Sequence, residues 1–270
     1  MSARQTLGRA LPRRRQRTGH TLPLIVSLTS HPPRFPTLLH TLHSLLQQRL
    51  RPDALELCVA EHEGSALPRA VLALRNDGLI LRIADDLKSY KKYVPARAAW
   101  PDALIVTADD DAYYRPTWLA ELVAAWTPHA RTVLCHRAHR LVLDATGAPL
   151  PYAHWVRQIP DIGPDPLIFP TGVGGVLYPP GLHHADVLKP ERFTALCPTS
   201  DDIWFYWMGM LAGASFRKIG PSRDSVFWSR SQRRGLWRHN VAGGNDGAVA
   251  AMLSAYGLPA ALAARTAAAI

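Results

Sequence analysis

The sequence predicts an α/β fold in which helices flank a mostly parallel sheet within a single domain. The chain has 270 residues, of which 47% are hydrophobic, and this is enough to bury one sizeable core. In the first half, short apolar runs of strand length alternate with segments whose leucines recur at three- and four-residue spacing. Such alternation is typical of parallel strands joined by helical crossovers.

Each element of the first half has its own sequence signal. A continuous apolar run follows Pro23, and from Pro36 onward leucines repeat along one face of a helix. The later apolar runs have strand length and end in polar or proline-containing segments. The predicted strands are Leu24–Thr29, Leu55–Ala60, Leu79–Ala84, 103–108 and Thr132–His136, and the predicted helices are Pro36–Leu50, 67–76 and Pro116–Trp126.

The second half contains more glycine, proline and aromatic residues, and it shows neither an internal repeat nor a long linker. We therefore predict a disordered basic arm over residues 1–21, one domain over 22–246 and an Ala-rich C-terminal helix over 247–270. The domain is predicted to have two functionally different halves, 22–115 and 116–246.

The net charge of +10 is unevenly distributed along the chain. Residues 1–20 contain six arginines and no acid, so this arm is interpreted as a solubilising tail, with anionic lipid or nucleic acid as alternative partners. No run approaches the 18 apolar residues of a membrane span. The three cysteines, Cys58, Cys135 and Cys197, are widely spaced, which predicts buried reduced thiols. These features predict a cytoplasmic protein that is soluble or peripheral at the inner face of the membrane.

Three consecutive carboxylates, Asp109 to Asp111, directly follow the fourth predicted strand. A buried strand tolerates few charges, so these acids are expected at the carboxyl edge of the sheet, where open α/β sheets bind ligands. Adjacent like charges repel by about 1 kcal/mol at 4 Å in water and by about 4 kcal/mol at an effective dielectric of 20. A cation would relieve that repulsion, and Mg2+ or Mn2+ uses one or two carboxylates together with substrate phosphates. The alternative is a solvated turn or helix cap before Pro116.

A second acidic pair, Asp201 and Asp202, precedes a predicted helix that is rich in aromatic residues. A carboxylate at a helix start can stay ionised and act as a general base. Simple N-capping by Ser200 or Asp201 is the alternative, and it can coexist with a catalytic role of the neighbouring acid.

An Asp-x-Asp at a strand end, preceded by strand–helix units and followed by a second acidic pair, resembles the GT-A class of nucleotide-sugar glycosyltransferases, specifically the bacterial family-2-like enzymes. The resemblance extends over residues 23 to about 246 and implies a Rossmann-like sheet with a nucleotide-sugar half over 22–115 and an acceptor half over 116–246. It implies Mn2+ or Mg2+ on the DxD acids Asp109 and Asp111, and a base at Asp202 or, as second candidate, Asp201.

The resemblance also implies contacts with the donor and a third metal ligand. These residues lie at strand ends, in the Gly-rich segment 171–178 and in a basic aromatic stretch near the C-terminus. The alternative is a solvated loop for the strand ends, a β-bulge for the Gly-rich segment and nucleic-acid binding for the basic stretch. The implied donor contacts are Thr29, Arg34, Asp85, Asp86, Lys91, Asp110, Gly174, Gly175, Arg233 and Arg234, and the implied third metal ligand is His239.

Together these features predict a metal-dependent, hexosyltransferase-like enzyme. It would move a sugar from a nucleoside diphosphate sugar to a hydroxyl of a glycan or glycolipid acceptor, with inversion, in polysaccharide or glycolipid synthesis. One alternative is a nucleotidyltransferase, although the loop 30–34 lacks the glycines expected of that class. The other alternative is a non-catalytic basic protein that binds membrane surfaces through its arm.

Overall fold

Nine strands are present in the computed structural model, which describes residues 22–160, 163–221, 225–229 and 243–267. Seven of the nine form the central sheet, and two form a separate antiparallel pair. In chain order they are β1 Leu24–Thr29, β2 Ala54–Ala60, β3 Leu79–Ala84, β4 Leu104–Ala108, β5 Thr132–Cys135, β6 Ala138–Arg140, β7 Ile168–Pro170, β8 Val176–Tyr178 and β9 Ser215–Lys218.

The central sheet has the order β3-β2-β1-β4-β8-β5-β9. All neighbouring pairs are parallel except those of β8, which runs antiparallel to both β4 and β5. The predicted α/β class with a mostly parallel sheet is therefore confirmed. Because β8 is reversed, the segment that precedes it lies at the same edge as the carboxyl ends of β1, β4 and β5.

The helices lie on both faces of the sheet and divide the core into two clusters. On one face Val26 and Val106 pack with leucines of α1 and α5, while on the other face Ile25 and Ile105 pack with α4 and α7. This alternation of consecutive strand residues between the faces is what a doubly covered parallel sheet requires. The helices are α1 Phe35–Leu46, α2 Glu61–Gly64, α3 Arg69–Ala73, α4 Val94–Ala99, α5 Trp118–Ala125, α6 Pro190–Leu196, α7 Asp201–Leu211, α8 Asn245–Tyr256 and α9 Ala260–Ala267.

Helix α7 is buried on all sides and fixes the position of the second acidic pair. Its aromatic residues Trp204 to Trp207 are each at most 2% exposed. Such burial leaves the helix little freedom to shift, so Asp201 and Asp202 in its first turn have defined positions.

Two predicted elements differ from the structure. The helix predicted over 67–76 is the short α3 followed by a 3-10 turn, which ends at Gly78 with φ of 103°. The single C-terminal helix predicted over 247–270 is two helices, because Gly257 takes a φ of 73° and Pro259 cannot continue α8. The basic arm 1–21 lies outside the described residues.

The cysteines agree with their prediction. All three cysteines are buried and carry free thiols. Among the described helices, none has the length and hydropathy needed to cross a membrane.

Candidate functional site

A cavity of about 900 Å³ opens at the carboxyl edge of the sheet. It lies where the strand order reverses between β1 and β4, which is the usual ligand site of open α/β sheets. Both halves of the domain line it: Ser30 follows β1, Asp109 follows β4, Gly172 precedes β8 and Asp202 belongs to α7. The volume is within the range of small-molecule sites.

The acid triplet is neutralised largely by groups of the protein itself. Asp111 accepts a short hydrogen bond from the Arg34 guanidinium, whose Nη1 also lies 3.6 Å from Asp110 Oδ1. Asp110 accepts a hydrogen bond from Ser30 Oγ at 2.5 Å, and burial raises the pKa of its carboxyl to about 7 despite that bond. The repulsion predicted from the sequence is therefore relieved by Arg34, by Ser30 and by proton uptake at Asp110.

Lys92 joins the triplet to the second acidic pair. Its Nζ lies 3.0 Å from Asp109 Oδ1 and 3.0 Å from Asp201 Oδ2, and the residue is only 6% exposed. Burial by itself would lower the pKa of Lys92, but Asp109, Asp201 and Asp202 together raise it well above the ordinary lysine value. The ammonium stays charged and holds two acidic sites, which lie more than 90 positions apart in the chain, at one point of the cavity.

Asp202 is held by the backbone of the segment before β8. Its Oδ2 accepts a hydrogen bond from the amide of Gly172 at 3.0 Å. Burial and the neighbouring charge of Asp201 raise the pKa of Asp202, while Lys92 acts in the opposite direction. A carboxyl whose pKa lies above its ordinary value is better suited to accept a proton near neutral pH.

Gly172 stands where three charged side chains converge. A Cβ at this position would lie 2.7 Å from Lys92 Nζ, 3.1 Å from Asp202 Oδ1 and 3.5 Å from Asp109 Oδ1. Any side chain would therefore displace the lysine or the acids. The absence of a side chain at this residue is what allows Lys92, Asp109 and Asp202 to meet.

The structure brings several predicted donor contacts to the cavity. Thr29 lines it, and its buried hydroxyl has no hydrogen-bond partner in the described part of the chain. Lys91 also lines it, but its Nζ is bound to Glu63 at 2.7 Å and to Asp86 at 3.2 Å. Asp86 lines the rim, whereas Asp85 is exposed and lies outside the lining.

Two predicted glycine contacts, Gly174 and Gly175, do not line the cavity. A Cβ at Gly174 would lie 2.6 Å from Arg137 Cβ, and one at Gly175 would lie 2.3 Å from the Trp118 ring. Both glycines therefore allow close packing, Gly174 against Arg137, which follows β5, and Gly175 against α5. In this segment it is Gly172, which the sequence analysis did not single out, that lies at the cavity.

The chain returns to the triplet after β9. Tyr113 N donates to Val226 O at 2.8 Å, and Trp228 N donates to Asp111 O at 3.1 Å. Phe227 and Ser225 thereby join the cavity lining. The predicted residues Arg233, Arg234 and His239 lie outside the described residues.

The predicted metal ligands are engaged by cations of the protein. One oxygen of Asp109 is bound by Lys92 and one oxygen of Asp111 by Arg34. Among the described residues, no group of three His, Cys, Asp or Glu side chains is arranged to hold a metal.

Several residues of the site were not found by the sequence analysis, including Glu63, Gly172 and two arginines. Glu63 holds Lys91, Gly172 holds Asp202, and Arg137 and Arg157 line the cavity on the side of the second half. Gly172 lies in the Gly-rich segment 171–178, whose pattern signalled the segment but not this residue. The other three belong to no spaced motif, and only the fold places them beside the acids.

Comparisons with known proteins identify no family. No protein-family model matches the chain, and no curated protein matches it. Solved structures with a similar arrangement include 4-diphosphocytidyl-2C-methyl-D-erythritol synthase (11% identity, 81% of this chain and 98% of that chain, TM-score 0.48), S. aureus TarS in complex with UDP (13%, 76% and 59%, 0.43) and mouse xyloside xylosyltransferase 1 (16%, 73% and 84%, 0.39). With TM-scores below 0.5, these similarities support no inference about activity.

Proposed function

We propose that the protein is a glycosyltransferase of the GT-A type, which transfers a sugar from a nucleoside diphosphate sugar to an acceptor hydroxyl. The observation that carries this proposal is the contact of Lys92 with both Asp109 and Asp201. Glycosyl transfer needs a donor site and a general base on opposite sides of one anomeric carbon. In this proposal the acidic site after β4 belongs to the donor side of the cavity, and the acidic site at the start of α7 supplies the general base.

Asp202 is proposed as the base. It removes the proton from the acceptor hydroxyl while that oxygen forms a bond to the anomeric carbon. The bond between this carbon and the diphosphate oxygen breaks, and the nucleoside diphosphate leaves with the electron pair. Attack and departure on opposite sides of the carbon invert its configuration. Gly172 N orients the base, and Lys92 sets its charge environment.

Binding of Mn2+ or Mg2+ stays a prediction of the resemblance. A divalent ion on the donor diphosphate would neutralise charge on the leaving group. Because Lys92 and Arg34 already occupy oxygens of Asp109 and Asp111, the ion would have to displace them or use their second oxygens.

The proposal is tested by incubating the protein with a panel of nucleotide sugars, in Mn2+ or in EDTA, and identifying the nucleotide product. We expect release of a nucleoside diphosphate, reduced about 10²- to 10⁴-fold in Asp202→Asn. Asp77→Asn, an exposed acid outside the cavity, is the matched control and should be unchanged.

The products separate this proposal from its rival. A nucleotidyltransferase would form pyrophosphate from a nucleoside triphosphate and a sugar phosphate. Pyrophosphate formation without turnover of any nucleotide sugar would therefore replace the proposal by that alternative. Equal rates in Asp202→Asn and wild type would remove Asp202 as the base.

A further inference from the structure

Two arginines line the cavity on the side of the second half. Arg137 follows β5 and is half-buried, and its Nη1 donates to Thr171 Oγ1 at 2.8 Å. Arg157 is exposed, and its guanidinium lies over the Tyr152 ring, 5.5 Å from the centroid. Burial, and to a smaller extent the charge of Arg157, lowers the pKa of Arg137, while Tyr152, Asp202 and Asp109 act in the opposite direction.

These arginines differ from the buried cations of the cavity. Arg34, Lys91 and Lys92 each form an ion pair with a carboxylate. Among the described residues, neither Arg137 nor Arg157 has a carboxylate oxygen within 4.0 Å. The charges of Asp202 and Asp109 act on Arg137 without a direct ion pair. A half-buried guanidinium that lacks such a pair gains from a ligand that supplies one.

The surroundings of the two arginines indicate what that ligand is. Tyr152 and Phe169 give this part of the lining an aromatic surface, which suits the apolar face of a sugar ring. His139 lines it too, but burial and the charge of Arg137 lower its pKa to about 4, so it adds no charge at neutral pH.

The position of Arg137 relates this region to the proposed base. Thr171, which receives the hydrogen bond from Arg137, directly precedes Gly172, whose amide holds Asp202. A group bound by Arg137 therefore lies beside the base rather than beside Thr29 and Ser30 at the end of β1.

We propose that Arg137 and Arg157 bind a negatively charged group, a carboxylate or phosphate, of an acidic carbohydrate acceptor. This inference rests on the proposed function, since it takes the Asp202 side of the cavity as the acceptor side. A planar guanidinium pairs with either anion through two parallel hydrogen bonds, which fixes the orientation of the acceptor as well as its affinity.

The test measures binding and needs no turnover. Wild type, Arg137→Met and Arg157→Met are titrated with methyl glucuronide, with the neutral methyl glucoside and with inorganic phosphate, and binding is measured by isothermal titration calorimetry. We expect both variants to weaken glucuronide and phosphate binding about tenfold or more and to leave glucoside binding unchanged. Arg51→Met, an exposed arginine outside the cavity, removes the same charge and should bind like wild type.

A second titration with UDP, GDP, CDP and ADP identifies the source of the anion. Unchanged nucleotide affinity in both arginine variants supports the acceptor assignment. A tenfold loss of nucleotide affinity would overturn it, because the arginines would then serve the donor diphosphate. Unchanged glucuronide and phosphate binding in both variants would also overturn it. If the nucleotide-sugar assay fails while arginine-dependent anion binding persists, glycosyl transfer is overturned and the anion site stands.

Discussion

Lys92 is the residue on which the geometry of the site depends most directly. Replacing it by methionine in Lys92→Met leaves Asp109 and Asp201 without their shared cation in a buried place. Removing one partner of a buried ion pair costs about 3–5 kcal/mol. We expect a loss of this size in the free energy of unfolding at pH 7, measured in urea.

The pH dependence of that loss has a definite sign. The pKa of Lys92 is raised in the folded protein, so its stabilisation is fully present below the ordinary lysine pKa and is lost only at higher pH. Lys189→Met removes an exposed lysine paired with Asp186 and should cost at most about 1 kcal/mol. Equal losses in the two variants would contradict a structural role of the Lys92 bridge.

The charge of Asp201 controls the proton affinity of Asp202. Because burial and then Asp201 raise the pKa of Asp202, removing the charge in Asp201→Asn should lower that pKa. The acidic limb of kcat/KM against pH is therefore expected to move to lower pH. An unmoved or upward-shifted limb would show that Asp202 is not the titrating base.

The sequence located the acids of the site but not the residues that pair with them. Asp109, Asp111, Asp201 and Asp202 could be selected because each follows or begins an apolar element with a visible pattern. The contact between Lys92 and Asp201 joins residues 109 positions apart in the chain, and no local pattern encodes such a contact.

Among the elements, the segment before β8 imposes the tightest steric requirement. In Gly172→Ala the new methyl group would lie 2.7 Å from Lys92 Nζ, closer than real Cβ atoms approach any group. We expect at least a tenfold loss of nucleoside diphosphate release, since misplacement of about 1 Å costs about 100-fold.

Helix α8 offers a matched control for that substitution. Gly247 is exposed in α8, and a Cβ there meets nothing within 4 Å. Gly247→Ala should stabilise the protein by about 1 kcal/mol, because alanine has the higher helix propensity, and should keep full activity. Activity retained in Gly172→Ala would contradict the convergence of charges at this residue.

The elements themselves and their mostly parallel arrangement were largely predictable, but the direction of β8 was not. β1 and β3 have the predicted bounds because predominantly apolar runs and flanking turn residues define them. The reversal of β8 could not be predicted, since a three-residue buried strand reads the same in either direction. Likewise, only the sheet topology shows that Gly172, and not Gly174 or Gly175, lines the cavity.

For the whole molecule, Asp110 links stability to pH. Its pKa is raised to about 7, chiefly by burial, so the folded state binds more protons than the unfolded state between about pH 4 and 7. This group therefore lowers stability as pH rises through that window. Asp110→Asn removes the effect and keeps an acceptor for Ser30, so its Tm relative to wild type should rise with pH.

Asp144, an exposed acid, should give a pH dependence of stability opposite to that of Asp110. Hydrogen bonds, first that of the Thr146 side chain, lower the pKa of Asp144, whose stabilisation is present at neutral pH and lost as pH falls. Asp144→Asn should therefore lose Tm relative to wild type as pH rises. Parallel pH profiles for the two variants would contradict the raised pKa of Asp110.

The reversed strand β8 also determines where the chain can accept inserted residues. Because β8 runs against its neighbours, the segment that precedes it lies at the cavity, and the segment that follows it lies at the far edge of the sheet, where Tyr178 is paired with Ile105. Loops at that far edge normally carry no ligand contacts. An insertion after the exposed Gly181 should leave the protein functional, whereas one between Gly172 and Gly174 should not.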